Sequence, residues 1–193
     1  YNPPMQKPKI LILSGYEAAS HRLWRETLQQ GLEDFDWHSL SLDPRHFAWR
    51  IRGKSLIWAL RNRHELQQPF DLLIATSMVD IAALRGLIPQ LSQLPTLLYF
   101  HENQFDFPAN RQLQSGQPPA IANVEQQLVP LYSALCAQRL LFNSAFNRRG
   151  FLAGCEQLLQ RLPDRLAGPL LTQLPAADVL PVPLPAYSGR ERR

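Results

Sequence analysis

Several things are scarce in this sequence, and each shortage excludes a class of protein. Cysteine is nearly absent: Cys136 and Cys155 are the only two. They form no metal-ligand pattern, so a reduced, cytoplasmic protein is expected, with both thiols buried in or near helices. Long apolar runs are missing, and none approaches the ~18–20 residues that a membrane span requires. Tyr1 to Lys9 carries Pro3, Pro4 and Pro8 but no signal-peptide core. Glycine is sparse where a dinucleotide fingerprint would need it, since only Gly15 stands in the first turn. There is no Walker motif, no serine nucleophile elbow, no cluster of metal ligands and no internal repeat. Lysine is rare, with Lys7, Lys9 and Lys54 the only three against seventeen arginines.

What remains is the composition of a folded domain. The 193 residues are 45% hydrophobic and 19% charged, values of a globular chain with enough residues for one core. The formal charge is +4 and the pI is about 9.4. Arginine suits bidentate phosphate contacts and stacking on flat rings. This bias mildly favours a nucleotide or nucleic-acid partner, although an Arg-rich proteome accounts for it equally well.

Patterning alternates strand with helix. Lys9–Leu13 is a buried strand, then a loop holds Gly15, and Ser20 is placed to cap a helix running to about Gly31 with Trp24, Leu28 and Leu32 on its inner face. Trp37–Leu42 and Phe70–Ala75 read as strands. Thr76-Ser77 precedes a helix from about Val79 to Leu87, with Ile81, Leu84 and Ile88 on one face. Thr96–Phe100 is a further strand, followed by a long loop over residues 104–123 of the kind that is functional or mobile. A helix over Val124–Ala137, kinked at Pro130, leads to a strand over Arg139–Phe142 and a helix from Asn143-Ser144. Weaker helical pieces follow near Glu156–Leu162 and Asp164–Leu174, then a last strand over Asp178–Val182. The expected fold is α/β, a Rossmann-like doubly wound parallel sheet. Residues 1–8 form an extension, 9–185 the domain, and 186–193 a tail.

Candidate chemistry concentrates in His101-Glu102-Asn103-Gln104, directly after the apolar strand. In open α/β sheets ligands bind at the carboxyl ends of strands. His101 can donate to a hydroxyl or act as a base, Glu102 can take a proton or anchor a hydroxyl, and Asn103 offers a paired donor and acceptor. Gln104 reads as the structural member. The plain alternative is a His satisfied by nearby backbone and a solvated Glu102. A second candidate is Ser20-His21, where a helix start presents free amides to an anion; a surface His beside a cap is the alternative. A third is the basic, aromatic stretch Arg45, Trp49, Arg50, Arg52, Lys54, Trp58, suited to phosphate contacts and base stacking. Its alternative is an amphipathic helix with Trp49 and Trp58 in the core, in which Ile57 and Leu60 also need burial. A fourth is Ser144 with Asn147, where Ser144 alone can be an ordinary helix cap.

These same blocks, Phe100-His101-Glu102-Asn103-Gln104, Ser20-His21, Trp49-Arg50-Ile51-Arg52 and Phe142-Asn143-Ser144 with Phe146-Asn147, resemble the glycosyltransferase-like domain-containing protein 1 family. That family is associated with tRNA-queuosine α-mannosyltransferase and related to retaining, two-Rossmann-domain (GT-B) glycosyltransferases. Ala18-Ala19 stand where members often carry Gly-Gly. The resemblance runs from about Lys9 to Pro185 and implies the N-terminal, acceptor-side half of a cytoplasmic enzyme. It implies transfer of mannose from GDP-mannose to the cyclopentenediol of queuosine in tRNA(Asp), with no metal. The nucleotide sugar would be gripped mainly by a C-terminal domain absent from this chain, reached through the Pro181–Pro185 segment, and the chain alone would be inactive. His101 and Glu102 would be catalytic. Ser20, His21, Asn103, Ser144 and Asn147 would bind substrate, while Arg45, Trp49, Arg50, Arg52 and Lys54 would contact tRNA. A transferase acting on a lipid or polysaccharide, and a non-catalytic nucleotide- or RNA-binding module, are the alternatives.

Overall fold

The computed structural model describes residues 6–105, 119–164, 168 and 171–182; the side chains of Phe47, Ala48, Arg50, residues 119–123 and Glu125 also lie outside the description. Strands β1 (Lys9–Ser14), β2 (Asp36–Ser41), β3 (Leu72–Thr76), β4 (Thr96–Phe100), β5 (Arg139–Phe142) and β6 (Ala177–Val179) form one sheet in the order β2-β1-β3-β4-β5-β6. Every pairing is parallel. The connecting helices are α1 (Ala19–Gly31), α2 (Phe47–Arg61), α3 (Arg63–Leu66), α4 (Ile81–Leu87), α5 (Pro119–Cys136) and α6 (Ala145–Arg161), with a 3₁₀ turn at Pro89–Gln93. The strand order reverses at β1, which has β2 on one side and β3 on the other. This is the switch point at which doubly wound sheets open a crevice.

Side chains alternate across a strand, and the alternation sorts the core in two. Leu11, Leu13, Leu73, Ala75, Leu98, Phe100, Leu140 and Phe142 face one way, onto Trp58, Leu84, Leu131 and Phe151 of the helices α2, α4, α5 and α6. Ile10, Ile12, Ile74 and Tyr99 face the other way, onto Trp24 of α1. Strands covered on both faces need continuous apolar runs, which explains Ile10–Leu13 and Leu72–Ala75. At the amino end of β4, Arg85 donates to the carbonyls of Leu91, Leu94 and Cys136 and to Thr96 Oγ1, at 2.6–3.2 Å.

The doubly wound parallel sheet is as expected; several boundaries are not. Helix α1 is preceded by Ala18 without a side-chain cap, and Ser20 lies exposed inside its first turn. Leu32 falls beyond α1 and is 42% exposed, so the inner stripe reduces to Trp24 and Leu28. Helix α4 starts at Ile81, capped by Asp80 Oδ1, which accepts from Ala83 N at 2.9 Å. A carboxylate is a strong cap, and it sets the helix start at Ile81 rather than Val79. Helix α5 begins at Pro119, a favoured residue for a first turn, and Pro130 lies inside it. The loop expected over residues 104–123 is thus cut short at its far end, and its residues 106–118 lie outside the described residues. Helix α6 runs unbroken to Arg161 because the Glu156–Gln160 stretch consists of good helix formers. The last strand ends at Val179 rather than Val182. Residues 165–167, 169 and 170 of the helical piece expected at Asp164–Leu174, and the tail beyond Val182, lie outside the described residues.

Candidate active site

The alternation of β4 decides which way His101 goes. Leu97 and Tyr99 point to the α1 face and Leu98 and Phe100 to the opposite face. His101, next in the series, emerges on the α1 face at the carboxyl end of the sheet. There it meets His21 from the first turns of α1. The imidazoles stack with centroids 3.9 Å apart and planes 14° from parallel. Trp24 and Tyr99 present edge contacts to the His101 ring at 4.8 and 4.9 Å.

Glu102 closes the cluster, with its Oε2 3.5 Å from His21 Nε2. His21 is buried, while the Glu102 side chain is 40% exposed. Burial, reinforced by the neighbouring His21, pushes the His101 pKa down to about 3. His101 is thus neutral near pH 7, with one ring nitrogen to donate and one to accept. Nδ1 of His21 and Nε2 of His101 are buried without a hydrogen-bond partner among the described residues.

An asparagine network holds this turn in place. Asn147 Nδ2 donates to the Phe100 carbonyl at 3.1 Å and to Asn143 Oδ1 at 3.0 Å. Its Oδ1 accepts from Asn103 Nδ2 at 2.9 Å. Asn143 Nδ2 donates to the His101 carbonyl at 2.6 Å, and Asn103 Oδ1 accepts from Phe105 N at 3.0 Å. Asn103 and Asn147 are buried, so their amides satisfy the backbone on both sides of His101-Glu102. Ser144 caps α6 by accepting from Asn147 N at 3.2 Å. Gln104 is also buried and its Nε2 lies 3.2 Å from Met78 Sδ. Phe105 then packs over Gly154 of α6, where a Cβ would collide with its ring.

Beside the histidines lies a cavity of about 310 Å³. Trp24, Tyr99 and His101 line it from the core side, and Ser20, Glu102 and Asn143 supply its other polar groups. Pro181 and Val182 close it, in a segment pinned by Tyr99 Oη donating to the Leu180 carbonyl at 3.0 Å. Among the described residues no group of three or more His, Cys, Asp or Glu side chains is placed to hold a metal ion.

The expected site residues therefore divide. Ser20, His21, His101, Glu102, Asn103, Ser144 and Asn147 gather at one edge. The basic stretch forms α2 with its lead-in, and its faces separate. Arg45 is exposed, and Trp49 is 56% exposed with its ring laid over Gly53. Arg52 reaches Asp80 at 3.4 Å. Lys54 points inward instead, fully buried, and donates to the Met78 carbonyl at 3.1 Å. Trp58 is core, but Leu60 is 71% exposed, against the expectation that it needs burial. The side chain of Arg50 is outside the description. The expectation named no role for Trp24, Tyr99 or Asn143, although the α1 stripe and the period of β4 both signalled the first two.

The N-terminal family model of tRNA-queuosine alpha-mannosyltransferase matches residues 9–184. A tRNA-queuosine alpha-mannosyltransferase of Drosophila melanogaster is 32% identical over 158 residues, which cover 82% of this chain and 40% of that protein. The chain thus spans well under half the length of this relative.

Proposed function

The chain belongs to the tRNA-queuosine alpha-mannosyltransferase family, matching its N-terminal part, and from that premise we propose that it is the acceptor-side half of a retaining, GT-B-type enzyme. The whole enzyme would move mannose from GDP-mannose to a hydroxyl of the queuosine cyclopentenediol in tRNA(Asp). A second Rossmann-like domain, following residues 9–185, would grip the nucleotide, and this half would be inactive alone. A cytoplasmic setting belongs to the same reading. No helix among the described residues is long and apolar enough to cross a membrane.

The observation that carries the proposal is the meeting of His21, His101 and Glu102 at the carboxyl end of the sheet, the edge where such folds bind ligands. In the reaction the bond from the anomeric carbon to the diphosphate breaks and a bond to the acceptor oxygen forms, while the hydroxyl proton is released. A neutral His101 can hydrogen-bond a sugar or acceptor hydroxyl without adding charge beside the oxocarbenium-like centre. Glu102 is placed to orient a hydroxyl or receive its proton. Asn103 and Asn147 position the turn that carries both, and Ser144 holds α6 against it. Exposed Arg45 and Trp49, and Arg52, whose guanidinium also pairs with Asp80, are the described groups of the basic stretch that would meet RNA, with Arg50 beside them in sequence. The test is mass analysis of tRNA after incubation with the full-length protein and GDP-mannose. The expected product gains one hexose only when queuosine is present. Equal gain on tRNA lacking queuosine, or no gain on either, overturns the proposal.

A further inference from the structure

The cavity beside His101 has a chemistry of its own. Its polar lining is Ser20, Glu102, Asn143 and the ring of His101. No Lys or Arg lines it among the described residues. Glu102 is its carboxylate, His101 is held neutral by burial, and Trp24 and Tyr99, each only 2% exposed, form its floor. A nucleoside diphosphate, or the sugar directly attached to one, would place phosphate charge next to Glu102 with no Lys or Arg among the described lining residues to offset it. Like-charge juxtaposition of that kind is strongly unfavourable. A small ring bearing hydroxyls and a positive charge is the complement. Its hydroxyls would meet Asn143, Ser20 and the neutral imidazole, its cation would meet the carboxylate, and its hydrocarbon face would lie on Pro181 and Val182.

We propose that this cavity takes the acceptor's side arm as a cation: the cyclopentenediol of queuosine together with the secondary ammonium that joins it to the base, paired with Glu102. The assignment rests on the transferase reading and adds to it which half of the reaction occupies the cavity. The donor then approaches from the open side, past His101. Near the start of α1, which by itself would favour an anion, His21 already has the Glu102 carboxylate at 3.5 Å.

Calorimetric binding of the free base queuine to the full-length protein tests this without turnover. Queuine should bind. Its N-acetylated form, which keeps the diol and loses the charge, should bind at least tenfold more weakly, and so should queuine to Glu102→Gln. Equal binding of the acetylated and parent bases overturns the ammonium pairing, as does absence of queuine binding. Displacement of queuine by GDP or pyrophosphate would also overturn it, by assigning the cavity to the donor's phosphates. In any of these cases, mannose transfer by the same preparation would leave the transferase reading standing; loss of transfer to queuosine-containing tRNA would remove that reading itself.

Discussion

The β4–α1 edge and helix α2 both stood out in the sequence, each a cluster of residues suited to ligand chemistry. In the fold they behave oppositely. At the β4–α1 edge, residues far apart in the chain converge until His21 and His101 stack at 3.9 Å. In α2, residues adjacent in the chain diverge, so that Lys54 is fully buried while Trp49 is 56% exposed. The difference is one of period. A strand end delivers its next residues to one sheet edge, and the two-residue alternation of β4 fixes the side on which His101 emerges. A helix turns 100° per residue, so a run of cations is dealt around its whole circumference. Composition along a helix therefore overstates the charge available to a partner. Arg85 makes the same point, since its guanidinium is spent on backbone carbonyls and Thr96 at the far end of the sheet.

The comparison can be broken first at Asn147. Replacing it with Ala removes its bonds to Phe100 O, Asn143 and Asn103 and leaves buried groups unpaired. Denaturant unfolding should show a loss of about 2–4 kcal/mol, with transfer by the full-length protein falling in parallel. A neutral result would mean that the turn is not held by this network. Acid should reveal the half-buried His101 imidazole next. The folded-state pKa of His101, about 3, lies below the ordinary 6.5, so the unfolded chain binds more protons between these values. Stability then falls as pH drops from about 6.5 toward 3, by on the order of 1–2 kcal/mol at pH 5. His101→Gln should remove that slope, and an unchanged slope would place its origin elsewhere.

Within α2 the contrast can be sharpened by paired variants. Lys54→Ala should cost about 2 kcal/mol, through a cavity and an unmet Met78 carbonyl. Arg52→Ala should cost under about 1 kcal/mol, because its ion pair is more than half exposed on the Arg side. Reversal of that order would refute the assignment of faces. Smallest is the effect expected on RNA. Trp49→Ala with Arg52→Ala should weaken tRNA binding severalfold and flatten its salt dependence by roughly one unit of log–log slope. An unchanged slope would leave this face solvated.

Much of the architecture was legible in the sequence because buried parallel strands are continuous apolar runs. β4 and β5 match the expected bounds residue for residue. Element ends were less legible. Asp80 and Ala18 sit where local hydrogen bonding decides the start of a helix, and Ser20 looked the better cap than Ala18 on residue type alone. Of the candidate site, the polar quartet after β4 could be seen. The inward turn of Asn103 could not, because its partner Asn147 comes from α6 and only the packing of α6 against β5 brings the two amides together. Nor could the inward Lys54, whose acceptor, the Met78 carbonyl, lies on a different connection.

The most direct measurement of the central claim is mannose transfer to queuosine-containing tRNA by full-length His101→Ala, alongside its thermal unfolding. The expected result is a fall in kcat/KM of at least about 100-fold, the scale of a lost transition-state contact, with cooperative unfolding retained. Near-normal turnover by a folded variant would contradict the placement of the chemistry at the end of β4.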